Sequence, residues 1–185
     1  MANKDTALII IDVQMDYFPG GKWQLKDTDK ALANVKKVLQ KFRDASIPVI
    51  HIQHLAPESF PFFNRGTKGA DIHPEVKPLA TEPVIEKEHA NSFKDTTLLE
   101  TLKAKGIKNL VITGMMTHNC VDSTTRAAVD LGYQCTLLGD ATSSRDLQLQ
   151  DGTVVPADQV KSSFLAALGW AFAKLVNTDD YLASI

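Results

Sequence analysis

The chain has 185 residues, 44% of them hydrophobic and 23% charged, enough to enclose one sizeable core. Lys plus Arg (20) nearly balances Asp plus Glu (22), and there is no basic block or aromatic–basic interleaving, which argues against a nucleic-acid surface, an anionic membrane partner or disorder. The two cysteines, Cys120 and Cys135, are too few for a disulfide-stapled scaffold and lack the paired spacing of a zinc ribbon, so a reducing, intracellular setting is expected.

Ala7 to Val13 reads as a continuous β-branched run with no alternation, the signature of a central parallel strand covered on both faces. Asp12 interrupts it, leaving an apolar stretch too short and too acidic for a signal peptide or membrane span, which points to the cytoplasm. Asp29 to Ala45 carries Leu32, Val35, Val38, Leu39 and Phe42 at helical spacing, and Val49 to Ile52 follows as a second strand, completing a βαβ unit. Ala56 to Pro83 contains Pro57, Pro61, Pro74 and Pro78 together with Phe60, Phe62 and Phe63, which look exposed; it reads as a long functional loop.

Pro83 to Lys87 is a short strand, Leu98 to Lys105 an amphipathic helix stopped by Gly106, and Asn109 to Thr113 another buried strand. Asp122 to Leu131 is helical and ends at Gly132, Gln134 to Leu138 is the next strand, and Ala157 to Phe172 a long helix. With no repeats and no low-complexity segment, the expectation is one domain over 1–185. Its expected fold class is α/β, a three-layer α-β-α Rossmann-like open sheet, mostly parallel. A nucleotide-binding version is disfavoured because no glycine-rich phosphate loop follows the first strand.

Ligands of such sheets bind outside the carboxyl ends of the strands. Asp12 follows the first strand, Lys87 closes the third, and Cys120 lies in the turn after the strand ending at Thr113. Taken singly, an aspartate can cap a turn, a lysine can be solvated and a cysteine can be core. Together on one sheet edge they make a nucleophilic site. A free thiol with a pKa near ~8.5 needs activation. Lys87 can supply favourable charge, the helix start after Cys120 a positive dipole end, and Asp12 a proton acceptor that later returns the proton to a leaving amine. The backbone amides of Met116 and Cys120 are candidate oxyanion donors.

Asp12-Val13-Gln14-Met15-Asp16-Tyr17-Phe18, Glu86-Lys87 with Ser92-Phe93, Gly114-Met115-Met116-Thr117-His118-Asn119-Cys120-Val121 and Gly139-Asp140-Ala141 occur in this order across nearly the whole chain. In them the sequence resembles the isochorismatase-like cysteine hydrolases, which include nicotinamidase, N-carbamoylsarcosine amidohydrolase and ureidoacrylate amidohydrolase. The resemblance implies a catalytic triad of Asp12, Lys87 and Cys120, a non-proline cis peptide between Met115 and Met116, and a substrate pocket lined by Phe18 and a loop aromatic. Trp23, Phe62 and Phe63 are the candidates for that aromatic, and each could equally be a core or interface residue. A homo-oligomer, dimer or tetramer, is also implied, for which the apolar region Ala166 to Val176 is one candidate interface.

Two departures from the family narrow the chemistry. Nicotinamidases hold a metal through an Asp-X-His pair after the second strand, where this chain reads His51-Ile52-Gln53-His54-Leu55. Asp71-Ile72-His73 lies deep in the long loop instead, so no metal or other cofactor is expected. Isochorismatases cleave a vinyl ether and can dispense with the cysteine, whereas the full Asp, Lys, Cys set favours C–N hydrolysis of a small amide, carbamoyl or ureido compound. Vinyl-ether cleavage and ligand binding without turnover are the alternatives. His118 and Asn119 either fill the turn or touch substrate, and His54, at the same sheet edge, has two similar readings. Glu86 and Glu88 should face away from Lys87, and Cys135 should be inert core.

Overall fold

The computed structural model describes residues 5–185. Its strands are β1 (Thr6–Ile11), β2 (Val49–His54), β3 (Val84–Lys87), β4 (Asn109–Met115), β5 (Gln134–Ser143), the short pair β6 (Leu147–Gln148) and β7 (Val154–Val155), and β8 (Ala173–Val176). Helices are α1 (Thr28–Asp44), α2 (Leu98–Ala104), α3 (Asp122–Asp130), α4 (Ala157–Ala171) and α5 (Thr178–Ala183). Six strands form one sheet in the order β3-β2-β1-β4-β5-β8, every neighbouring pair parallel, while β6 and β7 make a separate antiparallel pair.

Every residue of β1 is buried because the strand is flanked by β2 and β4 and covered above and below. Leu8 and Ile10 point into the layer built on Val35, Val38, Leu39 and Phe42 of α1, against which Tyr181 and Leu182 of α5 also pack. Ala7, Ile9 and Ile11 point to the opposite layer, with Leu98 and Leu102 of α2, Ala128 of α3 and Leu168 of α4. The two-sided apolar run in β1 and the single apolar stripe of α1 thus specify the three layers.

Strand order reverses between β1 and β4: β2 and β3 extend one way from β1, β5 and β8 the other. In such sheets the reversal marks where ligands bind at the carboxyl ends; here Asp12 directly follows β1 on one side of it and Cys120 follows β4 on the other. Gly114 allows the two strands to approach there. Its φ is +117°, and a Cβ would collide with the Ile11 backbone. One residue on, the Met115–Met116 peptide bond is cis.

The sequence expectation includes neither α5 nor the β6–β7 pair, and it differs from the structure in further features. β5 runs on to Ser143 because a register shift opposite Ile112 and Gly114 lets Thr142 and Ser143 pair with Gly114 and Met115. β8, inside the apolar C-terminal region, is the sixth strand of the sheet; its half-exposed residues give no continuous apolar run to read. Phe62 and Phe63, which look exposed in sequence, are buried, and of the loop aromatics only Phe60 is exposed. The long loop folds back over the sheet edge, where Phe62 and Phe63 pack against Tyr17.

Candidate active site

Asp12 leaves β1 in a left-handed conformation, φ 49°, which aspartate tolerates better than most residues. Its N–H donates to the Ile52 carbonyl of β2 at 3.1 Å, so the turn is tied to the neighbouring strand. Two residues on, the buried Gln14 side chain holds the His54 peptide from both ends: the His54 N–H donates to Oε1 and Nε2 donates to the His54 carbonyl, each at 2.8 Å. A second Gln14 bond, to the Ala70 carbonyl at 2.8 Å, fastens the long loop to the same point.

Lys87 pairs in register with His54 across β2 and β3. Its Nζ lies 2.9 Å from Asp12 Oδ2 and donates to the carbonyls of His89 and Ala90 at 3.0 and 3.2 Å. Both charged side chains are wholly buried. Burial raises the Asp12 pKa, but Lys87 and then His54 outweigh it and leave the carboxyl below its ordinary range. Burial works against the Lys87 ammonium, and Asp12 and the Cys120 sulfur outweigh that in turn, holding the lysine above its ordinary range.

Cys120 lies in a wide helical turn, Thr117–Val121, that runs directly into α3. The turn is anchored by Thr117, whose hydroxyl donates to Thr142 Oγ1 at 2.9 Å and to the Ser143 carbonyl at 3.0 Å on β5. Cys120 Sγ lies 3.9 Å from His54 Nδ1, and the same nitrogen lies 3.8 Å from Asp12 Oδ2. Burial first and the Asp12 carboxylate second push the thiol above its ordinary range, with Lys87 opposing. The favourable charge expected of Lys87 is present, but burial and the Asp12 carboxylate outweigh it. Cys135 sits in β5 facing the core, and burial pushes its thiol up to about 12.

The structure brings together Asp12, Lys87 and Cys120, adds His54, and bounds them with aromatics. Tyr17, Phe62 and Phe63 pack with centroids 4.5 to 5.7 Å apart, and the Phe63 ring lies 5.9 Å from that of His54. Trp23 stacks on Phe62 at 4.8 Å and carries the Arg145 guanidinium at 4.0 Å on its face. Phe18 lies elsewhere in this wall, buried against the His73 ring at 4.3 Å. Tyr17, which sequence reading passed over in favour of Phe18, is the one that meets the loop aromatics. Its hydroxyl is buried with no hydrogen-bond partner, and burial followed by the charges of Cys120 and Asp12 raises its pKa well above the ordinary range. His118 points to the residue just after β5, with Nδ1 3.1 Å from Ser144 Oγ. Met116 precedes the helical turn, and its carbonyl accepts from the N–H groups of Asn119 and Val121.

Asp16 fixes this wall from behind. Its carboxylate accepts from the Phe63 N–H at 2.7 Å and the Lys22 N–H at 3.0 Å. Glu86 and Glu88 face outward, both paired with Arg65. Asp71 and His73 do not converge with other ligand-type groups. Among the described residues the cluster of three such side chains is Asp12, His54 and Cys120, whose donor atoms lie within 4.8 Å of one another. The Lys87 ammonium already occupies the cationic position beside Asp12. No helix among the described residues is long and apolar enough to cross a membrane.

The isochorismatase domain model matches residues 6–164. The isochorismatase family protein YddQ of Bacillus subtilis is 43% identical over 178 residues, spanning 96% of this chain and 98% of its own. The crystal structure of an isochorismatase from Pseudomonas putida superimposes with a TM-score of 0.90 at 38% identity, over 96% of this chain and 90% of that one. More distant relatives include a streptothricin hydrolase of Streptomyces noursei, 28% identical over 97% of this chain and 69% of its own. They also include nicotinamidase 3 of Arabidopsis thaliana, 27% identical over 99% and 90%, and a ureidoacrylate amidohydrolase of Variovorax paradoxus, 28% identical over 75% and 68%.

Proposed function

The chain belongs to the isochorismatase family, and from that premise we propose that it is a cysteine hydrolase that opens a C–N bond of a small amide, carbamoyl or ureido compound through a thioester on Cys120. The observation that carries this reading is the convergence of Asp12, Lys87 and Cys120 from three separate elements into one buried cluster at the strand reversal. The similarity to a nicotinamidase and to a streptothricin hydrolase, each over most of this chain, supports it.

In this mechanism Cys120 Sγ attacks the carbonyl carbon while its proton passes into the acid–base cluster around Asp12. The developing oxyanion is received by the backbone amides of Met116 and Cys120. The proton is handed to the leaving nitrogen, and water then releases the acid from the thioester. Lys87 keeps Asp12 ionised and compensates the negative charge gained at sulfur. Tyr17, Trp23, Phe62 and Phe63 form an apolar wall suited to a small planar acyl group, and the Tyr17 hydroxyl offers it a hydrogen bond.

The test is a panel of small amides, ureides, carbamoyl compounds and vinyl ethers offered to the native chain and to Cys120→Ser. Turnover of a C–N substrate by the native chain, lost by at least ~10³-fold in Cys120→Ser, is the expected result. Full activity in Cys120→Ser, or activity confined to vinyl ethers, would sink the covalent amidohydrolase reading.

A further inference from the structure

Within the amidohydrolase reading, on which this rests, we infer that Arg145 recognises the substrate and that it takes a carboxylate: the C–N bond opened at Cys120 belongs to a small amide, carbamoyl or ureido compound with a carboxylate at its far end. The groups around the nucleophile form a closed ring of contacts. From His54, 3.9 Å from Cys120 Sγ, it runs through the rings of Phe63, Phe62 and Trp23 at successive centroid distances of 5.9, 4.9 and 4.8 Å. The Arg145 guanidinium lies 4.0 Å over the Trp23 ring. Ser144, its chain neighbour, lies 3.1 Å from the His118 ring, two residues before Cys120, and this closes the ring. Arg145 carries the one permanent charge among these groups.

That charge is unmatched. Neighbouring lysines each donate to an oxygen: Lys22 to Asn64 Oδ1 at 2.8 Å, Lys26 to Asp158 Oδ2 at 2.7 Å, and Lys161 to the Thr142 carbonyl at 2.7 Å. Asp146, next in the chain to Arg145, is engaged at the start of α4, where its Oδ1 accepts from the Ala157 N–H at 2.8 Å. Among the described residues no oxygen accepts from Arg145, which is half-buried and held by the Trp23 face alone. A guanidinium has five donors in a planar fork, and a carboxylate is the partner that fork fits with two parallel hydrogen bonds. A single cation, with the Asp12 and Asp16 carboxylates already nearby, suits a monoanion better than a phosphate dianion.

The position suits recognition at a distance from the bond that breaks. Burial raises the Tyr17 pKa most, followed by the charges of Cys120, Asp12 and Asp16, and Arg145 opposes them; burial and then Arg145 lower that of His118. The guanidinium is therefore within electrostatic reach of the reacting end, yet it takes no part in the Asp12–Lys87 pair. An open cleft of about 400 Å³ beside Gln24, Leu25, Lys26 and Asp146 reaches it from solvent. A substrate anchored there by its carboxylate lays its body along the aromatic wall and presents its carbonyl to Cys120, so binding at the far end orients the reacting one. Arg145 itself makes and breaks no covalent bond.

The test uses matched probes that differ only in the charged group: succinamate against succinamide, with the carboxylate on the acyl side, and N-carbamoylglycine against N-carbamoylglycinamide, with it on the leaving side. Binding is read from Trp23 fluorescence in Trp170→Phe/Cys120→Ser, which removes the only other tryptophan, an exposed one, and stops turnover on the thiol. At least one carboxylate should give a saturable change and bind at least about tenfold more tightly than its carboxamide. Adding Arg145→Gln should weaken that carboxylate about tenfold to a hundredfold and leave the carboxamide within about twofold, with Arg145→Lys between the two. The probe that responds shows which side of the scissile bond carries the charge. No response to either carboxylate at millimolar concentration, equal binding of a carboxamide, or undiminished carboxylate binding in Arg145→Gln would overturn the assignment. If Arg145→Gln fails to fold, the preference of the Arg145-containing chain for carboxylate over carboxamide decides alone. Failure of the covalent reading would show separately, as undiminished hydrolysis by Cys120→Ser.

Discussion

Replacing Lys87 with methionine removes the charge while keeping most of the side-chain volume, and leaves the Asp12 carboxylate without its 2.9 Å partner in a site closed to water. Breaking one half of a buried ion pair costs about 3 to 5 kcal/mol. For a chain of this size that is a fall of roughly 6 to 20 °C in melting temperature at neutral pH. The pH dependence has a definite sign. In the native chain Asp12 is held below its ordinary 3.8, so its contribution to stability is present above that value and is lost as pH falls through the lower folded value. Lys87 is held above its ordinary 10.5, so its contribution is present below that value and is lost as pH rises through the folded value. In Lys87→Met, burial acts on Asp12 without its main opposing charge, so the variant folds best with that carboxyl protonated. Its deficit against the native chain should therefore shrink as pH is lowered towards about 4. Thermal unfolding at neutral pH and at about pH 4.5, with Asp12→Asn/Lys87→Met alongside, checks this. The double variant should recover most of the loss. A Lys87→Met chain within about 1 kcal/mol of native at neutral pH, or a deficit that ignores pH, would refute the account of the pair.

Glu82 accepts from Arg43 Nε and Nη2 at 2.7 Å each and from the Leu79 N–H at 2.9 Å, and lies 2.9 Å from His51 Nε2. Against the effect of burial, these partners lower its pKa from 4.5 to about 2. Its stabilisation is therefore present above 4.5 and fades as pH falls towards 2. Glu82→Gln should lose roughly 3 kcal/mol in urea unfolding at neutral pH and much less near pH 3. Gly114→Ala places a Cβ on the Ile11 backbone between β1 and β4 and should cost at least about 2 kcal/mol by the same measurement. Asp16→Ala removes the acceptor of the Phe63 N–H; a loss of about 1 to 3 kcal/mol, with faster hydrogen exchange at Phe63, is expected. Cys135, a buried β5 residue remote from the acid–base cluster, should be alkylated only after unfolding.

The sheet was legible because its central strands announce themselves: β1 and β4 carry unbroken apolar runs, residues 7–11 and 110–112, of the kind that fits a layer covered on both sides. β8 was not, since Ala173–Val176 is a half-exposed edge strand whose pairing with β5 depends on α4 delivering it there. Asp12, Lys87 and Cys120 could be placed on one edge because Asp12 follows β1, Lys87 ends β3 and Cys120 lies in the turn after β4, and parallel strands put those ends together. The place of Tyr17 was hidden for the opposite reason. It joins an aromatic wall only when the long loop folds Phe62 and Phe63 back onto it. His54 was placed on this sheet edge by sequence, but its 3.9 Å approach to Cys120 depends on side-chain placement that spacing does not reveal. The need to activate the thiol was legible in sequence, but the extent of its burial, which raises its pKa further, was not.

The most direct test of the central claim is acid quench of the chain during turnover of any C–N substrate the panel yields, followed by mass spectrometry of the peptide containing Cys120. The account predicts an acyl group on Cys120 that appears before steady state, carries the mass of the substrate's acyl portion, and is absent in Cys120→Ala. Turnover with no adduct on Cys120 at any quench time, and persisting in Cys120→Ala, would contradict it.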